Sequence, residues 1–271
     1  MKNSMRFMRQ NRLPHIWCPG CGNGIVMGAL TAALASLSLD NNDVVAVAGI
    51  GCSSRAAGYL DLNTVHTAHG RAIPFATGIK LANPHLTVIV LSGDGDSMAI
   101  GGNHFIHAAR RNIDISVIIF NNSIYGMTSG QYSPLTPPGS FATTAAYGTI
   151  EPSFDTCKLA TAAGASYIAR GTTYHSHQLP KLIAGAISNK GLSVVEAVCG
   201  CPTQFGKLNK KSNPVTLMQE QRDHAVSAKD APLMTKEQLA GKYLIGELYN
   251  EQRREYSEAY THLFERVYGI K

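Results

Sequence analysis

The chain has 271 residues, of which 44% are hydrophobic and 15% are charged. This length suits one large α/β domain or two small ones, and the composition excludes a disordered protein. The net charge of +6 favours acidic partners, but basic and aromatic residues are not interleaved, which argues against nucleic-acid binding.

No apolar run reaches the roughly eighteen residues that a membrane span needs. The basic N-terminus lacks the apolar core of a secretory signal. We therefore expect a cytoplasmic protein, in which the six cysteines are ligands, catalysts or inert thiols rather than disulfides.

Strands and helices are predicted to alternate along the chain after a loose N-terminal arm at residues 1–14. Apolar runs predict strands at residues 44–48, 65–68, 87–91, 113–120, 167–169 and 192–199. Helices are predicted at residues 25–39, 72–82, 97–111, 154–163 and 177–188, with a long one at 236–268. The alternation predicts an α/β fold with a doubly wound parallel sheet. We expect one domain at residues 15–212 and a C-terminal extension at 213–271.

Polar residues follow two of the predicted strands in the middle of the chain. Asp94 stands between two glycines after the strand at residues 87–91, and Asn122 follows the strand at 113–120. Ligands of parallel α/β sheets bind at the carboxyl ends of the strands. Carboxylate and amide oxygens suit Mg²⁺, and glycines and a helix N-terminus offer N–H groups to phosphates. The pattern predicts a metal–diphosphate site.

Different phosphate-binding motifs fit this chain less well. A Rossmann fingerprint would need a third glycine where Met98 stands, and the earlier Gly22-x-Gly24 pattern has Met27 at the corresponding place. There is no Gly-Lys-Ser/Thr phosphate loop in the sequence. A plain turn with incidental Asp and Asn is the simpler interpretation.

Four cysteines lie in predicted loops, two in a glycine-rich loop and two just after strands. Cys18 and Cys21 form a Cys-x-x-Cys pair, and Cys52 and Cys201 each follow a predicted strand. If both strands end at one edge, four thiols could hold zinc or an iron–sulfur cluster. The same residues could instead be a redox-active pair or four ordinary thiols. A redox pair is less favoured because no strand precedes it.

The two remaining cysteines differ in their expected roles. Strand alternation would place Cys199 on the same face as Cys201, so it is the rival for the fourth position. Cys157 falls within a predicted helix and is expected to be buried.

Several motifs occur together in an order that resembles a known family. The Gly-Asp-Gly and Asn-Asn pattern resembles the thiamine diphosphate motif. With Cys-Pro-Gly-Cys, Gly-Ile-Gly-Cys-Ser-Ser, His-Gly-Arg and Cys-Pro-Thr, it is similar to β subunits of 2-oxoacid:ferredoxin oxidoreductases. The loop at residues 124–134 looks most like the 2-oxoglutarate branch. The resemblance covers about residues 12–210.

The resemblance implies a thiamine diphosphate-binding fold and three cofactor sites. Mg²⁺ would be bound by Asp94, Asn122 and the carbonyl of Ile124, and a [4Fe–4S] cluster by Cys18, Cys21, Cys52 and Cys201. Thiamine diphosphate would be lined by Ile50, Gly51, Cys52, Ser53, His69, Gly95, Asp96, Gly126 and Met127. In simpler interpretations, His69 could be a core histidine, Arg71 a solvated charge, and Ser53 and Ser54 helix N-caps.

The resemblance also implies a reaction and partners. A 2-oxoacid would lose CO₂, ferredoxin would take the electrons and coenzyme A the acyl group, so 2-oxoglutarate would give succinyl-CoA. The pyrimidine-binding half would come from an α subunit, because one chain of this size has strands for only one sheet. The apolar helices at residues 25–39 and 72–82 are candidates for that contact.

Substrate choice depends on one position. Ser129 stands where other branches carry a lysine for the substrate carboxylate, which favours a longer, dianionic acid here. Pyruvate or a branched-chain 2-oxoacid is the alternative substrate. A non-redox thiamine decarboxylase or synthase half, and a zinc-stabilised binding module, are the alternative functions.

Overall fold

Eight strands form one sheet in the computed structural model, which describes residues 4–269. The strands are β1 Val44–Ala48, β2 Asn63–His66, β3 Thr87–Gly93, β4 Ser116–Asn121, β5 Tyr167–Thr172, β6 Ser193–Val198, β7 Ala225–Ser227 and β8 Tyr243–Asn250. Their order is β2-β1-β3-β4-β6-β5-β8-β7, and only the β5–β8 pair is antiparallel. The predicted α/β class with a largely parallel sheet is confirmed.

Helices cover both faces of the sheet. They are α1 Asn23–Ser36, α2 Arg55–Tyr59, α3 Ala72–Ala82, α4 Gly102–Arg111, α5 Thr156–Ala163, α6 Leu179–Ser188, α7 Pro214–His224, α8 Lys236–Leu239 and α9 Tyr256–Tyr268. Side chains of β1 alternate between two cores: Val44 packs with α1, α2 and α6, and Val45 with α3, α4 and α5. The doubly wound arrangement is therefore confirmed. Within residues 4–269, no helix is long and apolar enough to cross a bilayer.

Strands β1 to β6 lie within a few residues of their predicted positions. The helix predicted at residues 97–111 begins instead as a π-helical turn, Asp96–Ile100, before α4. A second π-helical turn, Pro202–Gly206, follows β6. Such turns are rare and occur often at functional sites.

The long helix predicted at residues 236–268 is wrong. Only α8 and α9 are helical there, and β8 lies between them. Residues 167–170 of β5 pair with residues 246–250 of β8. Since β5 would otherwise be the open edge of the sheet, backbone pairing outweighs the helical tendency of this charged segment. The expected extension, of which residues 270–271 lie outside the described part, thus contributes two strands to the sheet.

The N-terminal arm is not loose over the residues that the structure describes, which exclude residues 1–3 of the predicted arm. Phe7 is fully buried, and the backbone N–H of Arg9 donates to the Tyr59 carbonyl at 2.8 Å. The Phe7 carbonyl in turn accepts from the Asp61 N–H at 2.8 Å, so apolar contact and main-chain hydrogen bonds hold this segment against α1 and the end of α2.

Candidate active site

A cavity of about 390 Å³ lies at the carboxyl ends of β1, β3 and β4. Every residue proposed above for thiamine diphosphate or Mg²⁺ lines it: Ile50, Gly51, Cys52, Ser53, His69, Asp94, Gly95, Asp96, Asn122, Ile124, Gly126 and Met127. The structure therefore brings these residues together, as their positions after neighbouring parallel strands predict.

Asp94 is the buried anion of this cavity. It is 2% exposed, and one carboxylate oxygen accepts a short hydrogen bond from the Ser133 hydroxyl. Burial raises the pKa of Asp94 to about 7, although hydrogen bonds from Ser133 and from backbone N–H groups oppose the shift. A carboxylate that is costly to ionise in isolation gains strongly from a bound cation, so Asp94 suits a metal ligand.

Residues 122–124 form a tight turn at the end of β4. The Asn122 side-chain oxygen accepts from the Ile124 N–H at 3.2 Å, and the Asn121 side-chain oxygen accepts from the Ser123 N–H at 3.1 Å. Ser123 adopts a left-handed conformation with φ of 60°, which is unfavourable for a residue with a side chain. The side-chain hydrogen bonds stabilise this turn and so place Asn122 and Ile124 at the cavity.

Asp96 joins three loops at the same edge. Its Oδ1 accepts from the Gly70 N–H at 2.7 Å and from the Ile50 N–H at 3.4 Å, and lies 2.5 Å from His69 Nδ1. Its Oδ2 accepts from the Ser92 hydroxyl at 2.6 Å. Both oxygens are thus engaged by the protein, and Asp96 holds the walls of the cavity in place.

Three further residues of the site carry no local signal in the sequence. Tyr125, Thr128 and Gln131 line the cavity from the loop after β4, where no strand end or glycine pair marks them individually. Ser133 contacts Asp94 although the two residues are 39 positions apart in the sequence. These side chains reach the strand ends only because the loop after β4 folds back over them.

Ser129 is placed differently from its neighbours. It is exposed, has φ of 85°, and does not line the cavity, whereas Thr128 does. Its role in substrate selectivity stays a prediction.

Four cysteines converge on a second cavity of about 310 Å³, lined by Cys18, Cys21, Cys52 and Cys201. The Trp17 indole donates to the Cys52 carbonyl at 2.7 Å and ties the Cys-x-x-Cys loop to the loop after β1. A Cβ at Gly126 would lie 3.6 Å from the sulfur atoms of both Cys52 and Cys201. The absence of a side chain at Gly126 leaves both sulfurs open toward the cavity.

Burial opposes the ionisation of two of these thiols. It raises the pKa of Cys21 to about 12 and of Cys52 to about 11, and the neighbouring sulfurs add to both shifts. In residues 4–269, no three Cys, His, Asp or Glu side chains already form a compact metal-ligating group. Four thiols on one cavity are nevertheless the donor set of a zinc site or a [4Fe–4S] cluster, and binding either would release their protons.

The remaining two cysteines do not line the cysteine cavity. Cys199 is buried, with its sulfur 3.6 Å from the side-chain oxygen of Asn23, and it does not line the cysteine cavity. Because β6 ends at Val198, strand alternation no longer relates Cys199 to Cys201. Both residues line a neighbouring cavity, so the choice between them as the fourth ligand stays a prediction. Cys157 is buried as predicted.

The two cavities share a wall. Cys52, Asn122, Gly126 and Met127 line both of them. Only a wall one residue thick would therefore separate a group bound among the cysteines from a group bound near Asp94.

Comparisons with known proteins agree with this arrangement. Residues 49–197 match the family "Thiamine pyrophosphate enzyme, C-terminal TPP binding domain". The chain is 49% identical to the 2-oxoglutarate synthase subunit KorB of Methanocaldococcus jannaschii, over 98% of this chain and 99% of that protein. It is 55% identical to the Archaeoglobus fulgidus subunit of the same name, over 73% of each chain.

A solved structure is similar over nearly the whole chain. It is a 2-oxoglutarate:ferredoxin oxidoreductase from Magnetococcus marinus with 2-oxoglutarate, coenzyme A and succinyl-CoA bound. Its TM-score is 0.87 at 30% identity, over 98% of this chain and 90% of that one. The chain therefore belongs to the thiamine pyrophosphate enzymes and, among them, to the β subunits of 2-oxoacid:ferredoxin oxidoreductases, most similar to the 2-oxoglutarate synthase branch.

Proposed function

We propose that this subunit catalyses the oxidative decarboxylation of 2-oxoglutarate to succinyl-CoA and CO₂, with ferredoxin as the electron acceptor. The observation that carries the proposal is the pair of cavities with a common wall, one built around Asp94 and Asn122 and the other around four cysteines. The names of its relatives, and the ligands of the similar solved structure, support 2-oxoglutarate as the substrate.

In this proposal, Asp94, Asn122 and the Ile124 carbonyl bind Mg²⁺, which in turn binds a diphosphate. The oxygen donors fit a hard cation, and the buried Asp94 is the single formal charge among them. Backbone N–H groups of the loop after β1 and of the turn at Gly95 lie beside the same cavity and suit phosphate oxygens.

Cys18, Cys21, Cys52 and Cys201 hold a [4Fe–4S] cluster in this proposal. A zinc site would satisfy the same thiols, but it would leave the second half of the reaction without a one-electron carrier. The raised pKa values of Cys21 and Cys52 keep these two thiols protonated when no metal is bound, so cluster assembly displaces their protons.

When bound, thiamine diphosphate supplies the electron sink for decarboxylation, and the cluster supplies a one-electron acceptor. The chain's own residues orient these groups and exclude water. Asp96 fixes the loops that carry Ile50 and His69, and Tyr125 packs over Gly95. The apolar side chains of Ile50 and Met127 line the cofactor cavity, and Met127 lines the cysteine cavity as well.

Residues 15–212 carry every proposed cofactor ligand in this proposal, and an α subunit supplies the pyrimidine-binding half. Ferredoxin, coenzyme A and the 2-oxoacid complete the set of partners. All six cysteines are free thiols, which fits the cytoplasm as the location.

The test is anaerobic purification of the complex formed with the α subunit, followed by analysis of iron, sulfide, zinc and thiamine diphosphate. A panel of 2-oxoacids is then assayed with coenzyme A and a viologen dye as electron acceptor. We expect about four irons per chain for a [4Fe–4S] cluster and dye reduction that is fastest with 2-oxoglutarate. Zinc instead of iron, or CO₂ release without dye reduction, would refute the proposal.

A further inference from the structure

A line of mostly buried polar groups leads from β5 and β6 to the turn that carries Asn122. Glu196 on β6 is 3% exposed, and its Oε1 accepts from Asn121 Nδ2 at 2.6 Å. Its Oε2 accepts from Arg170 Nε at 2.8 Å. Arg170 lies directly opposite Glu196 on β5 and also donates to Asp155 Oδ1 at 2.7 Å. Asn121, Glu196, Arg170 and Asp155 do not themselves line the cofactor cavity.

Stability alone does not explain why the charge pair of Glu196 and Arg170 is buried. Removing two charges from water costs so much free energy that a well-packed apolar pair is often at least as stable. What a charge pair gives instead is orientation, because each acceptor and donor must face its partner. The Glu196 carboxylate has an Asn side chain on one oxygen and an Arg side chain on the other, so it fixes the geometry of both.

The consequence for Asn121 is a defined amide orientation. A carboxylate can only accept hydrogen bonds, so the NH₂ group of Asn121 must face Glu196 and its oxygen must face the other way. That oxygen accepts from the backbone N–H of Ser123 at 3.1 Å and lies 3.4 Å from its hydroxyl. Ser123 is the residue with φ of 60°, so the amide stabilises the strained point of the turn.

We propose that Glu196 is a positioning residue of the metal site, an inference that rests on the proposed function. It fixes Asn121, and Asn121 holds Ser123 in the conformation that presents the Asn122 side chain and the Ile124 carbonyl to the cation. Arg170 neutralises Glu196 and also donates to the Leu244 carbonyl of β8 at 3.4 Å. The C-terminal extension is therefore linked to the metal site through one guanidinium group.

The first experiment replaces Glu196 by glutamine in the full-length complex with the α subunit. Asn121 and Arg170 donate to different oxygens of Glu196, and glutamine has an accepting oxygen at only one of these two positions, so one of the two donors would face an NH₂ group. We expect the affinity for Mn²⁺, used as a spectroscopic probe of the Mg²⁺ site, to fall by about tenfold or more, as for other residues that orient metal ligands. Mn²⁺ binding is measured by electron paramagnetic resonance, and metal-dependent thiamine diphosphate binding by calorimetry.

Asp114→Asn is the matched control. Asp114 and Lys80 form a comparable ion pair, with 2.7 Å between Lys80 Nζ and Asp114 Oδ2, near the opposite end of β4. Breaking that pair should lower the melting temperature while Mn²⁺ affinity stays that of the wild type. A general loss of stability would affect both variants alike, whereas a positioning role affects only Glu196→Gln.

The decisive variant exchanges the two side-chain types, Asn121→Asp together with Glu196→Gln. The amide introduced on β6 can then donate to the carboxylate introduced on β4 and accept from Arg170, while that carboxylate still accepts from the Ser123 N–H. We expect each single substitution to weaken Mn²⁺ binding and the double variant to recover most of it. Wild-type affinity in Glu196→Gln, or no recovery in the double variant, would overturn the inference. Absence of Mn²⁺ and thiamine diphosphate binding in the wild type would overturn the proposed function as well.

Discussion

The phenol of Tyr125 lies against Gly95 and donates a hydrogen bond of 3.0 Å to its carbonyl oxygen. A Cβ at position 95 would overlap the Tyr125 ring, so Gly95→Ala must displace the turn after β3 or the loop at residue 125. We expect it to weaken thiamine diphosphate binding by about 1–3 kcal/mol, or roughly 5- to 150-fold, as measured by calorimetry. Tyr125→Phe, which keeps the ring and loses only the hydroxyl, should bind much more tightly than Gly95→Ala. Equal affinities in the two variants would contradict the packing argument.

The cysteine assignment is tested by two substitutions that are close in sequence. Cys201 lines the cysteine cavity and Cys199 does not. We expect Cys201→Ala to lose the cluster and dye reduction, and Cys199→Ala to keep both. Iron and sulfide analysis and the visible absorption of the anaerobic complex measure the outcome. Equal iron content in wild type and Cys201→Ala would remove Cys201 from the ligand set.

The metal assignment depends on Asp94. It is the one carboxylate among the three proposed Mg²⁺ ligands, so Asp94→Ala should abolish metal-dependent thiamine diphosphate binding. The fold should survive, because the strands on either side are held by the sheet. Calorimetry measures the affinity and circular dichroism the fold. Ser133→Ala is the control, because it keeps the carboxylate and removes the hydroxyl that donates to Asp94 and accepts from the Leu135 N–H. Cofactor affinity like that of the wild type in Asp94→Ala would exclude Asp94 as a ligand.

Asp155 gives a prediction about pH. Burial alone would raise its pKa, but the Arg170 guanidinium outweighs burial and holds the pKa below its usual value. A carboxyl group with a lowered pKa stabilises the fold above its unfolded pKa of about 3.9, and this contribution is lost as the pH falls through the folded pKa.

We therefore expect Asp155→Asn to lower the free energy of unfolding by about 1 kcal/mol at pH 7, a modest value because Asp155 is partly exposed. Asparagine can still cap α5, as the Asp155 side chain does by accepting from the Lys158 N–H. Urea denaturation at neutral and acidic pH measures the difference, which should shrink toward about pH 4 and below. A difference that stays constant with pH would show that the charge of Asp155 contributes nothing.

Substrate preference is tested at Ser129. Serine offers a neutral hydroxyl in place of a cation, so we expect 2-oxoglutarate to be preferred over pyruvate in kcat/KM. One methylene group gives only about 10- to 200-fold discrimination, whereas an unpaired carboxylate gives more. Ser129→Lys should move the ratio toward pyruvate, with Ser129→Gly as the control that tolerates the φ of 85°. A wild-type ratio of the two kcat/KM values near one would show that the residue at position 129 does not indicate the preferred substrate.

The features that follow from local chemistry were predictable. Buried strands are recognised from apolar runs, and polar residues at their carboxyl ends, such as Asp94 and Asn122, fall at one edge in any parallel sheet. The convergence of Cys52 and Cys201 follows from the same rule, because β1 and β6 end on the same side.

The features that depend on distant contacts were not predictable. β8 forms because β5 offers an unpaired edge. The sequence of residues 243–250 contains no sign that this edge exists. Ser133 meets Asp94 only after the loop at residues 124–155 has folded. Cys199 stays outside the cysteine cavity although it is only two positions from Cys201, because β6 and its regular alternation end at Val198. Sequence patterns locate such a boundary only within a few residues.

The antiparallel β8 has a practical consequence for dividing the chain. A fragment that ends before Tyr243 exposes the N–H and C=O groups of β5 along its outer side. Such an open edge pairs readily with another chain, so the truncated protein should aggregate even though every proposed cofactor ligand precedes the cut. The smallest well-behaved unit therefore extends at least through Asn250.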